Sequence, residues 1–127
     1  MITSFDVWKY VRGVVARVYG EEGTYDFATG RQGRDFAFVN GARIGDTKGK
    51  SRFRSDVTIQ IDIFASSFEK RKVLQEQLET IRDILRYNKK IDKQTIRYIE
   101  SDLFITEDVT TEFPMLHGVL DISLDYY

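Results

Sequence analysis

From Val57 to Phe64 the chain alternates without a break. Val57, Ile59, Ile61 and Ile63 point one way, and Thr58, Gln60, Asp62 and Phe64 the other. Side chains leave the two faces of a strand in turn, so the pattern predicts a strand with one face buried and the other mainly polar. The period then changes. Leu74, Leu78, Ile81 and Leu85, helped by Val73 and Ile84, recur at helical spacing, while Glu69, Lys72, Glu76, Glu79, Asp83 and Arg86 form the wet stripe opposite. Ser66 with Glu69 reads as a capping box for this helix. Asn88 reads as its end, and Lys89 and Lys90 suit its negative terminus.

The other elements follow by the same rules. Thr3 with Asp6 is a capping box for a first helix, which carries Trp8, Val11, Val15 and Val18 on one face and fades at Gly20. Residues Gly20 to Arg34 hold four glycines and no clear period, and read as a long loop. Asp35 to Val39 is a short strand ending at the turn dipeptide Asn40-Gly41. Gly41, Gly45 and Gly49 punctuate a flexible arm that runs to Arg54. Two strands close the chain, Thr95 to Thr106 and Met115 to Tyr126, joined by a loop with the only proline, Pro114. In the last strand Leu116, Leu120, Ile122, Leu124 and Tyr126 face one way, and His117, Asp121, Ser123 and Asp125 the other. The expected fold is α+β: a small, mainly antiparallel sheet of about four strands, two helices packed on one face, and long loops. Residues 1–127 are expected to form one domain.

Several chemistries are excluded by composition. The chain has no cysteine, so disulfides, thiolate metal sites and cysteine nucleophiles are ruled out. No basic head precedes an apolar run at the N-terminus, and no stretch approaches the ~20 apolar residues of a membrane span. A soluble protein made in a cytoplasm is expected.

The formal charge is only −1, yet charge is segregated along the sequence. Glu100 to Tyr127 carries seven carboxylates (Glu100, Asp102, Glu107, Asp108, Glu112, Asp121, Asp125) and no Lys or Arg. Upstream, Gly41 to Arg54 carries Arg43, Lys48, Lys50, Arg52 and Arg54 against the single acid Asp46. An acidic wall and a basic arm displayed apart are complementary to a copy of the same chain, which favours head-to-tail association.

No motif supplies a catalytic site or a cofactor. Gly49-Lys50-Ser51 ends like a phosphate-binding loop, but the glycine needed five positions earlier is Ile44, and a strand follows instead of a helix. Asp121 and Asp125 lie about 13 Å apart along a strand, too far to grip one ion unaided. With Asp62 they read as an acidic sheet face, solvated or facing another subunit. His117, the only histidine, matches no catalytic motif and is expected at a surface or rim. The five basic residues admit three readings: a solvated loop, a contact to an acidic protein surface, or a nucleic-acid contact.

Three segments together carry a family resemblance: Phe38-Val-Asn-Gly-Ala-Arg-Ile-Gly-Asp46 with the basic arm, then Asp56-Val-Thr-Ile-Gln-Ile-Asp-Ile-Phe64, then Arg71-Lys-Val-Leu-Gln-Glu-Gln-Leu78. This succession resembles the tail-terminator (tail-to-head joining, minor tail) proteins of long-tailed phages, and the likeness spans most of the chain. It implies a non-enzymatic virion protein that caps the tail tube, made in the bacterial host and residing in the virion tail; a head-completion, connector or other minor tail protein is the alternative, and a nucleic-acid-binding module a further one. The implied partners are further copies of itself in a ring of six, the tail-tube protein and the head connector, with DNA crossing the lumen without specific binding. Under this resemblance Arg43, Lys48, Lys50, Arg52 and Arg54 are candidates for the subunit or tube contact. Asp62, Asp121 and Asp125 are candidates for the lumen or interface face.

Overall fold

The computed structural model describes residues 3–26, 35–46, 55–91, 93–109 and 114–127. Helix α1 spans Ser4–Tyr19 and helix α2 spans Arg71–Leu85. The strands are β1 (Thr24–Tyr25), β2 (Phe36–Val39), β3 (Arg43–Asp46), β4 (Ser55–Ala65), β5 (Lys89–Ile91), β6 (Gln94–Asp108) and β7 (Met115–Tyr126).

Helix α1 starts at the capping box expected of Thr3 and Asp6. The Thr3 amide donates to Asp6 Oδ2 at 2.7 Å, and the Asp6 amide donates back to Thr3 Oγ1 at 3.4 Å. These bonds hold the exposed Asp6 carboxyl below its ordinary pKa, with the bond from the Thr3 backbone the largest cause. The helix stops at Gly20, whose φ of 121° is territory that side chains avoid. Its buried stripe is Val7, Val11, Val14, Val15 and Ala16, with Trp8 and Val18 half-buried at the flanks of that stripe. Valines are mediocre helix formers, so packing rather than propensity holds this helix.

The sheet is larger than expected. Its order is β1-β2-β4-β7-β6-β5, with β3 also paired to β4, so the described residues form seven strands that curl into a half-barrel instead of the expected four. It is also mixed: β1 and β2 run parallel, and the remaining pairs are antiparallel. The reason lies in β1, β3 and β5, which are two to four residues long and too short to show a period. They exist because longer strands offer them an edge. β4 offers the same edge twice, to β2 along residues 61–64 and to β3 along 55–58. A bulge between Tyr98 and Glu100 in β6 adds local twist, in keeping with the curl.

Other boundaries are corrected by the same contacts. Residues 24–25 of the expected loop form β1, and residues 43–46 of the expected arm form β3. Ser67, not Ser66, caps the turn before α2: its hydroxyl accepts from the Glu69 amide at 3.2 Å, while the Ser66 amide is taken by Asp35 Oδ1. Lys89 and Lys90 are not a helix terminus but part of β5, paired with β6.

Both helices pack on one side of the sheet, as expected. Val57, Ile59, Ile61 and Ile63 of β4 and Leu116, Leu120, Ile122 and Leu124 of β7 face the helices and are buried with Leu74, Leu78, Ile81 and Leu85 of α2. Gly118 lets α2 come close: a Cβ there would lie 2.5 Å from Leu78 Cδ1. Among the described residues no helix is long and apolar enough to cross a membrane.

Candidate functional site

The face of the sheet turned away from the helices carries the functional interest, because the candidate acids and His117 stand there. Backbone pairing sets it out in cross-strand rows over β2 or β3, β4, β7 and β6. The first row is Phe36, Phe64, His117 and Thr106, and the next is Phe38, Asp62, Val119 and Phe104. Then come Gln60, Asp121 and Asp102; Arg43, Thr58, Ser123 and Glu100; and Gly45, Asp56, Asp125 and Arg97. One end of the face is therefore aromatic and the rest is polar and acidic.

At the aromatic end Phe36 stacks on Phe64 with centroids 4.7 Å apart, and Phe64 stacks on His117 at 4.2 Å. His117 is not a rim residue. Its Nε2 lies 2.6 Å from Oδ1 of Asp62, which is only 3% exposed. Asn40 Nδ2 donates to Asp62 Oδ2 at 2.6 Å, and Gln60 Nε2 donates to both oxygens at 3.0 and 3.2 Å. A carboxylate–imidazole pair is half of a nucleophilic triad, but among the described residues no hydroxyl is bonded to this ring. Thr106 donates only to the His117 backbone carbonyl, at 3.5 Å. The network joins β2, β4 and β7 and satisfies a buried charge. Sequence reading missed it, because its members stand 22 and 55 residues apart.

Asp125 is also buried, at 1% exposure, and takes a two-pronged ion pair from Arg97 at 2.7 and 3.2 Å. The bond to Asp125 raises the Arg97 pKa, and the nearby Asp56 carboxylate adds to the effect. Arg97 Cζ lies 5.6 Å from the centre of the Tyr127 ring. Asp121 is more open and accepts from Arg43 at 3.1 Å.

The three candidate acids thus share one face, as their alternation implied, but Asp62 and Asp125 are internally paired and not solvated. Among the described residues, the carboxylates of this face with no ion pair or hydrogen bond are Glu100 and Asp102, both exposed and both on β6. Arg43 is the one candidate contact residue described. Lys48, Lys50, Arg52 and Arg54, like the Gly49-Lys50-Ser51 stretch, lie outside the described residues. Since β3 folds against β4, Arg43 stands within reach of β7. At this point the basic and acidic stretches meet within one molecule, and are not held apart as separate poles.

A second feature lies where α1 meets β3. Phe5 and Trp8 stack at 5.9 Å, and Trp8 Nε1 donates to the Asn40 carbonyl at 2.7 Å. With Ser4, Gly41, Ala42 and Ile44 they line an open, almost wholly apolar groove of about 290 Å³. Phe5 and Ile44 remain 61% and 63% exposed there.

No protein-family model matches the sequence, and no curated protein matches it. Among solved structures, the chain resembles a chain described as "Virion of native gene transfer agent (GTA) particle", with a TM-score of 0.51 and 13% identity. The match covers 93% of this chain and 89% of the other, so the fold corresponds nearly end to end.

Proposed function

We propose that this chain is a structural protein of a virion and works as a ring at the joint between tail tube and head. The reading is carried by the fold match to a chain of a virion particle, which extends over 93% of the residues. The likeness of residues 38–46, 56–64 and 71–78 to tail-terminator proteins supports the finer role. A tube grows by adding identical layers, so its cap must match the last layer on one side and mismatch it on the other. Head-to-tail contacts between copies close into such a ring when the rotation permits.

In this reading the partners are further copies of the chain, the tail-tube protein and the head connector, and the chain performs no catalysis. The sheet face turned from the helices lines the lumen. Glu100 and Asp102 stand on it, unpaired among the described residues, and repel phosphate, so DNA slides past without sticking. Residues 48–54, with their four bases, bear on the tube or on a neighbour.

The test is direct. Light scattering after size exclusion, followed by negative-stain imaging, is expected to show closed rings, and gold-labelled antibody is expected to mark the head-proximal end of tails. Label on heads free of tails would instead assign the chain to head completion.

A further inference from the structure

We infer that the apolar groove of Phe5, Trp8, Ala42 and Ile44, with the free edge of β3 beside it, receives strand β6 of a second copy of this chain. The inference rests on the ring reading above and names the contact that closes it.

Three observations carry it. First, β6 is fifteen residues long, and β5 covers it only at residues 94–96. From Arg97 to Glu107 no described strand lies on its outer side, so among the described residues alternate backbone groups there face outward without a strand partner. Among the described residues β3 is likewise paired on one side only.

Second, the strand directions agree. β3 runs antiparallel to β4, β4 to β7, and β7 to β6, so β3 and β6 run in opposite senses. Copies related by an axis along the strands therefore meet as an antiparallel pair.

Third, charge selects this pairing over its rival. Two β6 edges brought together would set Glu100 and Asp102 against their own kind, with no Lys or Arg between Tyr98 and Val109 to offset them. The β3 edge offers Arg43, which stays 65% exposed beside its Asp121 partner and so can bridge to a second carboxylate, and Lys9 stands over the Phe5 ring at 5.5 Å. Like charges directly opposite destabilise a sheet and opposite ones stabilise it.

Charge narrows the register to Glu100 or Asp102 opposite Arg43, and the apolar partner of Ala42 selects Asp102. With Arg43 opposite Asp102, Ala42 faces Leu103 and Ile44 faces Ser101. Leu103 stands on the helix side of β6, half-buried against its own core, and Ala42 is half-buried on the other chain. The pairing seats Leu103 of the next copy against Ala42 and Trp8, covering the groove with an apolar side chain.

The absence of native cysteine makes the test clean. Within one molecule β3 and β6 are separated by β4 and β7, about 14 Å across three strand spacings. That exceeds the ~7 Å limit for a disulfide between Cα atoms, so an Ile44→Cys, Ser101→Cys bond forms only between copies. Mild oxidation of the double variant should give a ladder of covalent multimers, and a mixture of the two single variants should stop at dimers. An Ile44→Cys, Phe104→Cys control, with cysteines on opposite faces, should stay uncrosslinked. In parallel, Ile44→Asp should raise the dissociation constant of the oligomer at least about tenfold. Its circular dichroism should stay native, since Ile44 is exposed. A wild-type oligomer that Ile44→Asp leaves intact, or that crosslinks only through Phe104, overturns this contact and leaves the ring standing. A wild-type chain that stays monomeric at every concentration overturns both.

Discussion

Asp62 and His117 meet 2.6 Å apart on a sheet face that alternation marks as polar, and the carboxylate there is almost wholly removed from water. Asn40 and Gln60 supply its other bonds, so Asp62 ties the end of β2 to β4 and β7. Asp62→Ala strips three donors of their acceptor at once and is expected to cost about 2–3 kcal/mol in urea unfolding. His117→Phe keeps a flat ring on Phe64 and removes one bond, at about 1 kcal/mol. Equal losses for the two variants would show that the bonds from Asn40 and Gln60 add nothing to this corner.

Gly118 sets how closely α2 approaches the sheet. In Gly118→Ala the new methyl would sit 2.5 Å from Leu78 Cδ1 and 3.2 Å from Leu74. Both leucines are buried and have little room to give. A loss of about 1–3 kcal/mol is expected from overpacking. Adding Leu78→Ala should make the Gly118→Ala step close to neutral, and a double-mutant cycle with no coupling would contradict the geometry.

Stability should also depend on pH through Asp35. Burial alone would raise this carboxyl, but hydrogen bonds from Lys70 Nζ at 2.5 Å and the Ser66 amide at 2.7 Å outweigh it and hold the pKa below its ordinary value. A carboxyl depressed in the folded state contributes stability above its unfolded pKa. That stability disappears as pH falls through the folded value. Unfolding free energies below about pH 4 should fall more steeply for the wild type than for Asp35→Asn. Parallel curves would remove Asp35 from the acid response.

Trp8→Phe keeps an aromatic ring in the groove and removes the bond to the Asn40 carbonyl. About 1 kcal/mol is the expected loss in thermal or urea unfolding. Amide exchange should quicken at residues 40–44 more than in β7. Uniform quickening across the sheet would mean that the bond does not position β3.

Replacing Arg43, Lys48, Lys50, Arg52 and Arg54 together by glutamine should weaken ring or tube binding and flatten its salt dependence, as read by sedimentation at several ionic strengths. Unchanged assembly would count against the basic stretch as a contact.

The long elements are legible because each repeats one period many times. β4, β7 and the leucine stripe of α2 stand where their patterns put them, and Thr3 caps α1 through its pairing with Asp6. β1, β3 and β5 are not legible, because two to four residues carry no period and their partners lie far off in sequence. Nor is the burial of Asp62 and Asp125. Alternation assigns a residue to a face but says nothing of what curls over it or which arginine reaches it. Charge misled for the same reason: Arg43 and Asp121 are 78 residues apart, yet they form an ion pair once β3 lies beside β4.

The bond from Trp8 to Asn40 has a mechanical consequence. Asn40 is itself anchored to the Gln60 carbonyl by its amide and its side chain, at 2.9 and 2.8 Å. The corner between β2 and β3 is thus clamped from two directions, by a helix and by the central strand. A pull on the tip of the third strand therefore acts on these bonds. It is expected to reach the first helix as torque, so that the edge and that helix tilt together.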